Sequence, residues 1–99
     1  MTHHIVLFQL RDDLSEEERR GAMEKFRSQI LALPRKLSII RSLEVGFNIN
    51  PAEQWDICLN SSFDTLDDVR TYSAFPDHQA AAAGLKPFLN GRSCVDYED

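Results

Sequence analysis

Cysteine is scarce in this 99-residue chain: there are two, Cys58 and Cys94. They match no metal-ligand spacing and could close at most one disulfide, which excludes a disulfide-stapled scaffold. Glycine and proline number four each, too few for a low-complexity chain. No phosphate-loop or dinucleotide glycine pattern occurs, so a bound nucleotide cofactor is not expected. Basic residues are outnumbered, 11 against 16 acidic, giving a net charge of −5. The Lys and Arg are scattered and line no single face, which argues against a nucleic-acid partner. No apolar run approaches the ~18 residues of a membrane span, and no membrane partner is expected. The opening "MTHHIVLFQLRDD" lacks the basic region and small-residue cleavage site of a signal peptide. The expected location is the cytoplasm.

What is present is an ordinary globular composition, 42% hydrophobic and 27% charged, and a length that suits one domain over residues 1–99. "HHIVLFQLR", His3–Arg11, is β-branched and aromatic and reads as a strand, with His4, Val6, Phe8 and Leu10 on one side and Ile5 and Leu7 on the other. "SEEE" from Ser15 is a capping box, and Ala22, Phe26, Ile30 and Leu33 then form one helical stripe that Pro34 stops. Lys36–Ile49 reads as a second strand region and Trp55–Phe63 as a third, with Asp56, Cys58, Asn60 and Ser62 on its polar side. Leu66, Val69 and Tyr72 recur at helical spacing, and Phe75, preceding Pro76, must leave the α region. Pro76 suits the first turn of a new helix, "PDHQAAAA". Arg92–Tyr97 is a final strand.

The order β-α-β-β-α-β implies an α+β, ferredoxin-like fold: a four-stranded antiparallel sheet with helices on one face. Val6, Phe8 and Leu10, beside His4, are expected on the face away from the helices. Leaving that face wet costs roughly 25 cal/mol per Å2 of apolar area, so a homodimer packed sheet to sheet is expected. The space between the sheets would be a lined pocket, apolar along the first strand and polar along Asp56–Ser62. In this strand order the first strand separates the third from the fourth, placing Cys58 and Cys94 ~9–10 Å apart, beyond disulfide reach. Trp55 is expected beneath a helix.

"HHIVLFQL", "FPDH" after a second helix and "CVDY" in the last strand, in this order and at these separations, together resemble the stress-responsive dimeric A/B-barrel (Dabb) family. The resemblance covers the chain from His4 to Tyr97 and implies a homodimeric α+β barrel. Members include a plant polyketide cyclase that closes a ring by intramolecular aldol condensation. The likeness to that cyclase implies His78 as catalytic base, Tyr72 as its assistant and His4 as a pocket histidine. The chain departs at Asp56, which stands where the cyclase has a third-strand pocket histidine.

Each residue also has a plainer reading. His78 could cap its helix, but Asp77 already supplies first-turn charge, and an imidazolium sits badly at a helix N-terminus. His78 is therefore expected to line a cavity, where a pKa near 6.5 suits a base. Tyr72 could be simple core; a step of six on an unbroken helix leaves two side chains about 120° apart, so only the break at Pro76 lets it meet His78. His3 and His4 point to opposite faces and cannot share an ion; His3 reads as solvated. A His4, His78 and Asp56 metal site has no motif behind it, and neither metal nor cofactor is expected.

The function these readings support is binding of a hydrophobic small molecule in the barrel interior by His4, Val6, Phe8 and Asp56. Proton abstraction beside a carbonyl, in an aldol-type cyclisation, would use His78 as base and Tyr72 as hydrogen-bond donor. The alternatives are a non-catalytic, stress-protective or ligand-binding dimer, and a cofactor-free or haem-dependent monooxygenase of the same fold.

Overall fold

Alternation along the first apolar segment makes β1, Thr2–Leu10, with strictly alternating buried and half-buried residues. Ser15 then caps α1, Glu16–Leu31, its hydroxyl accepting from the Glu18 amide at 3.1 Å while the Glu18 carboxylate accepts from the Ser15 amide at 3.0 Å. Both free N–H groups are thereby satisfied. The helix buries Phe26 and Ile30, and the chain tightens into a single 3-10 turn at Leu33–Arg35, where Pro34 stands. The second strand region is shorter than expected: Lys36–Arg41 passes through turns, and β2 spans Ser42–Phe47. β3 spans Ile57–Phe63. Thr65 caps α2, Leu66–Ala74, and Phe75 is extended (φ −62°, ψ 132°), which ends that helix and lets α3, Pro76–Leu85, start in a new direction. A 3-10 turn at Lys86–Phe88 leads into β4, Leu89–Glu98. Residues 1–99 are all described by this computed structural model. No helix is long and apolar enough to cross a membrane.

The four strands form one antiparallel sheet in the order β2-β3-β1-β4, an α+β ferredoxin-like fold with the helices on one face. Register decides which side chains share that face. Val6 pairs with Leu59 and Cys94, and Leu59 with Val45; the valines and Leu59 are buried with Phe26 and Ile30 of α1 and with Val69 and Tyr72 of α2 in one core.

This corrects the expected orientation of β1. Val6, Phe8 and Leu10 are 2%, 7% and 1% exposed within the single chain, so they lie beneath the helices and not against a second sheet. Alternation tells which residues travel together but not which side the helices take. The far face carries Ile5, Leu7, Val95 and Tyr97, with Val95 and Tyr97 about half exposed. Trp55 is also displaced from its expected place: it precedes β3, and its ring lies over Gly91, opposite Gln9, on that same far face. His3 is not merely solvated, for it stacks on Tyr97 at 5.0 Å and bonds Asp99 at 2.8 Å. Cys58 and Cys94 are both free. They pair with adjacent residues, Leu7 and Val6, and so point to opposite faces of the sheet.

Candidate functional site

A cavity of about 460 Å3 lies within the chain, between the helix-facing side of β1 and β4 and the α2–α3 corner. It was expected between two sheets; the reversed facing of β1 puts it under the helices. His4, Val6 and Phe8 of β1 line it, with Phe26 of α1 and Leu59 of β3. Phe8 and Phe26 meet edge to face at 5.2 Å and form an apolar wall.

His78 reaches this cavity because the chain bends at Phe75. It is the third residue of α3, and no side chain caps that helix. Asp77 turns outward instead and pairs with Lys36. The His78 Nδ1 atom is buried and has no hydrogen-bond partner. Burial pushes the His78 pKa down, helped by the neighbouring charges of His4 and Arg92; the Ser73 backbone opposes this without closing a hydrogen bond on Nδ1. The position at a helix N-terminus also disfavours the imidazolium. At neutral pH the ring is a neutral imidazole.

Tyr72 and His78 are brought together by the same bend, their rings 4.5 Å apart. Tyr72 is fully buried, however, packed between Phe63 at 5.1 Å and His4 at 6.0 Å. It stands one layer behind the cavity wall. Its hydroxyl has no hydrogen-bond partner, and burial raises the phenol pKa, so the group is a neutral O–H donor.

His4 enters from β1. Its Nδ1 lies 2.5 Å from the Asp96 carboxylate on β4, its direct neighbour across the strand pairing. An ionised carboxylate only accepts, so Nδ1 is the donor of this pair. Cys94, two residues before Asp96, places its sulfur 3.7 Å from the same Nδ1. One ligand atom each from His4, Cys94 and Asp96 lies within 4.8 Å of the others, a trio able to meet a metal ion, although His4 and Asp96 already satisfy one another.

Asp56 does not join this group. Its carboxylate accepts from the Leu10 amide at 2.7 Å and from Arg19 of α1 at 2.7 Å, at the other end of β1. The expected site residues are thus divided: of the ligand-binding set His4, Val6 and Phe8 line the cavity and Asp56 lies elsewhere, while of the catalytic pair His78 lines it and Tyr72 stands behind it. Lys86 and Arg92 also line the cavity and Asp96 bonds His4 at its edge; none of the three was among the expected residues. Asp96 and Arg92 could have been found by carrying the ferredoxin-like strand order one step further, to register β4 against β1.

Among solved structures, a dimeric protein of unknown function with a ferredoxin-like fold from Bacteroides fragilis is 51% identical, with a TM-score of 0.96 over 99% of this chain and 95% of that one. An uncharacterised protein of Streptomyces coelicolor is 33% identical over 99% of both chains. A hydroxynitrile lyase from Passiflora edulis shares the fold at 16% identity and a TM-score of 0.76, over 97% of this chain and 90% of that one. The family model described as the stress responsive A/B barrel domain matches residues 2–99, and the chain belongs to that family.

Proposed function

We propose that this chain forms a homodimer whose cavity, one in each subunit, binds an apolar small molecule bearing a carbonyl group. His78 takes a proton from the carbon beside the carbonyl, and the electron pair of that C–H bond becomes an enolate. In an aldol-type closure the enolate carbon then attacks a second carbonyl of the same molecule, and the resulting alkoxide recovers the proton from the imidazolium. The observation that carries this reading is the pair of orphaned buried atoms, Tyr72 Oη and His78 Nδ1, next to an apolar cavity. Buried polar atoms are seldom left without partners, and those that are tend to mark function. A ligand carbonyl oxygen that reaches past the His78 ring to the Tyr72 hydroxyl supplies the acceptor the phenol lacks. Asp96 acts as a positioning residue, fixing the His4 tautomer.

The test is α-proton exchange of 4-phenylbutan-2-one in D2O, followed by NMR. Wild type should exceed buffer, and His78→Ala should lose roughly 10^2–10^4-fold of the rate while keeping its melting temperature. Exchange no faster than buffer, or equal in the variant, would sink the enzymatic reading. Binding without exchange would leave a ligand-binding dimer.

The homodimer reading is supported by the apolar far face, Ile5, Leu7, Val95 and Tyr97, and by solved relatives described as dimeric. Leu7→Asp should give a folded monomer in sedimentation, because a buried unpaired charge is costly. A dimer of unchanged strength would place the interface elsewhere.

A further inference from the structure

The walls of the cavity are mainly apolar, but its mouth carries charge of one sign. Lys86, just beyond α3, and Arg92, on β4, line it, and no carboxylate does. Neither cation has a carboxylate partner in a chain where acids outnumber bases, while Arg11, Arg19, Lys36, Arg41 and Arg70 are all paired. Arg20, Lys25, Arg27 and Arg35 are unpaired too, but none of them lines this cavity; Arg20 stands among Glu16, Glu17 and Glu24 of its own helix, and Arg27 lies over the Phe47 ring. Lys86 and Arg92 therefore share an opening with no counter-charge.

Arg92 is directed to the cavity by register. It pairs with Phe8, whose side chain faces the helices, so the Arg92 side chain leaves the sheet on the same side. Its charge is felt by His78, after burial, and by the Cys94 thiol. The one acid nearby on that strand face, Asp96, is bonded to His4. The guanidinium, in reach of the Cys94 thiol but bound to no carboxylate, stands beside an apolar cavity that is large enough for a small aromatic acid.

We propose that Arg92, assisted by Lys86, is an anion-binding subsite, and that the ligand of this pocket is an apolar carboxylic acid. Its carboxylate sits on the Arg92 fork at the mouth, and its apolar body runs along Val6, Phe8 and Phe26 toward His78. A planar carboxylate matches one guanidinium in two parallel hydrogen bonds, geometry that an ammonium cannot reproduce. The assignment rests on the cavity being the ligand site, as proposed above, but requires no proton transfer.

The experiment compares sodium 4-phenylbutyrate with neutral 4-phenylbutanamide, by calorimetry on wild type, Arg92→Gln and Arg92→Lys. In wild type the acid should bind at least ~10-fold more tightly than the amide, as expected for a charge-assisted hydrogen bond near an apolar wall. Arg92→Gln should bring the acid down to the amide's affinity, and Arg92→Lys should recover only part of the difference. Added salt should weaken the acid and spare the amide. Equal affinities in wild type, an unaffected Arg92→Gln, full recovery in Arg92→Lys, or no acid binding at millimolar concentration would each overturn the subsite. These are equilibrium affinities, so a failure here leaves the exchange experiment on His78 to stand or fall by itself.

Discussion

Asp56 and Asp96 bind near opposite ends of β1, and the chain uses them in opposite ways. Asp56 has both oxygens occupied, one by the Leu10 amide and one by the Arg19 guanidinium, and its side chain is 17% exposed. Every donor it meets is itself fixed, so it ties β1 and the start of β3 to α1 and has nothing left to offer a ligand. Asp96 holds one imidazole nitrogen of His4, whose ring also lines the cavity. A carboxylate satisfied by amide and guanidinium is a structural tie. A carboxylate that orients an imidazole at a cavity is a positioning device.

The contrast is broken most sharply at Asp56. Asp56→Ala strands a backbone amide and a half-buried guanidinium, at a cost of about 2–3 kcal/mol. For a domain of this size that lowers the melting temperature by roughly 8 °C or more, with 4-phenylbutyrate affinity unchanged well below the transition. A melting temperature equal to wild type would show that the tie carries no stability. Asp96→Asn should do the reverse. Its melting point should shift by less than about 1 kcal/mol equivalent, while the rate of 4-phenylbutan-2-one exchange falls roughly 10-fold for loss of a charged hydrogen bond. The distinguishing readout is 15N NMR of His4, which should show the Nδ1–H tautomer in wild type and a mixture in the variant. An unchanged tautomer would reduce Asp96 to a surface acid.

The smallest effect expected is in stability against pH. Burial and neighbouring charge lower the folded-state pKa of His78 beneath its ordinary value of about 6.5. In the window between that value and the folded one, the unfolded chain binds a proton that the folded chain refuses. Stability contributed by the neutral ring is therefore complete above about pH 6.5 and is lost as pH falls through the folded pKa. His78→Ala should flatten this part of the curve, as seen by denaturant titration between pH 5 and 7. An identical slope in both proteins would mean that His78 is solvated.

The parts of this arrangement readable in the sequence are those set by local chemistry. The Ser15 capping box, the break at Phe75–Pro76 and the alternation of β1 are each written in neighbouring residues, and together they give the order of the elements. Strand order also placed β1 between the strands carrying Cys58 and Cys94. The facing of β1 was not readable, because both of its sides are apolar and alternation has no sign. Asp56 was misplaced for a related reason: β3 starts two residues later than expected, at Ile57, so Asp56 is released from the strand's alternation and reaches Arg19. Asp96 and Arg92 depend on the register of two strands at opposite ends of the chain, a long-range pairing that no local pattern announces.

The central claim is that His78 is a neutral, unpartnered base at a ligand cavity. It is tested most directly by 15N-detected NMR titration of the His78 imidazole, with and without 4-phenylbutan-2-one. The account expects a midpoint below about 6.5 in the free protein and a clear shift of the His78 nitrogen resonances when the ketone is added. A midpoint at or above that value, with resonances indifferent to the ketone, would contradict it.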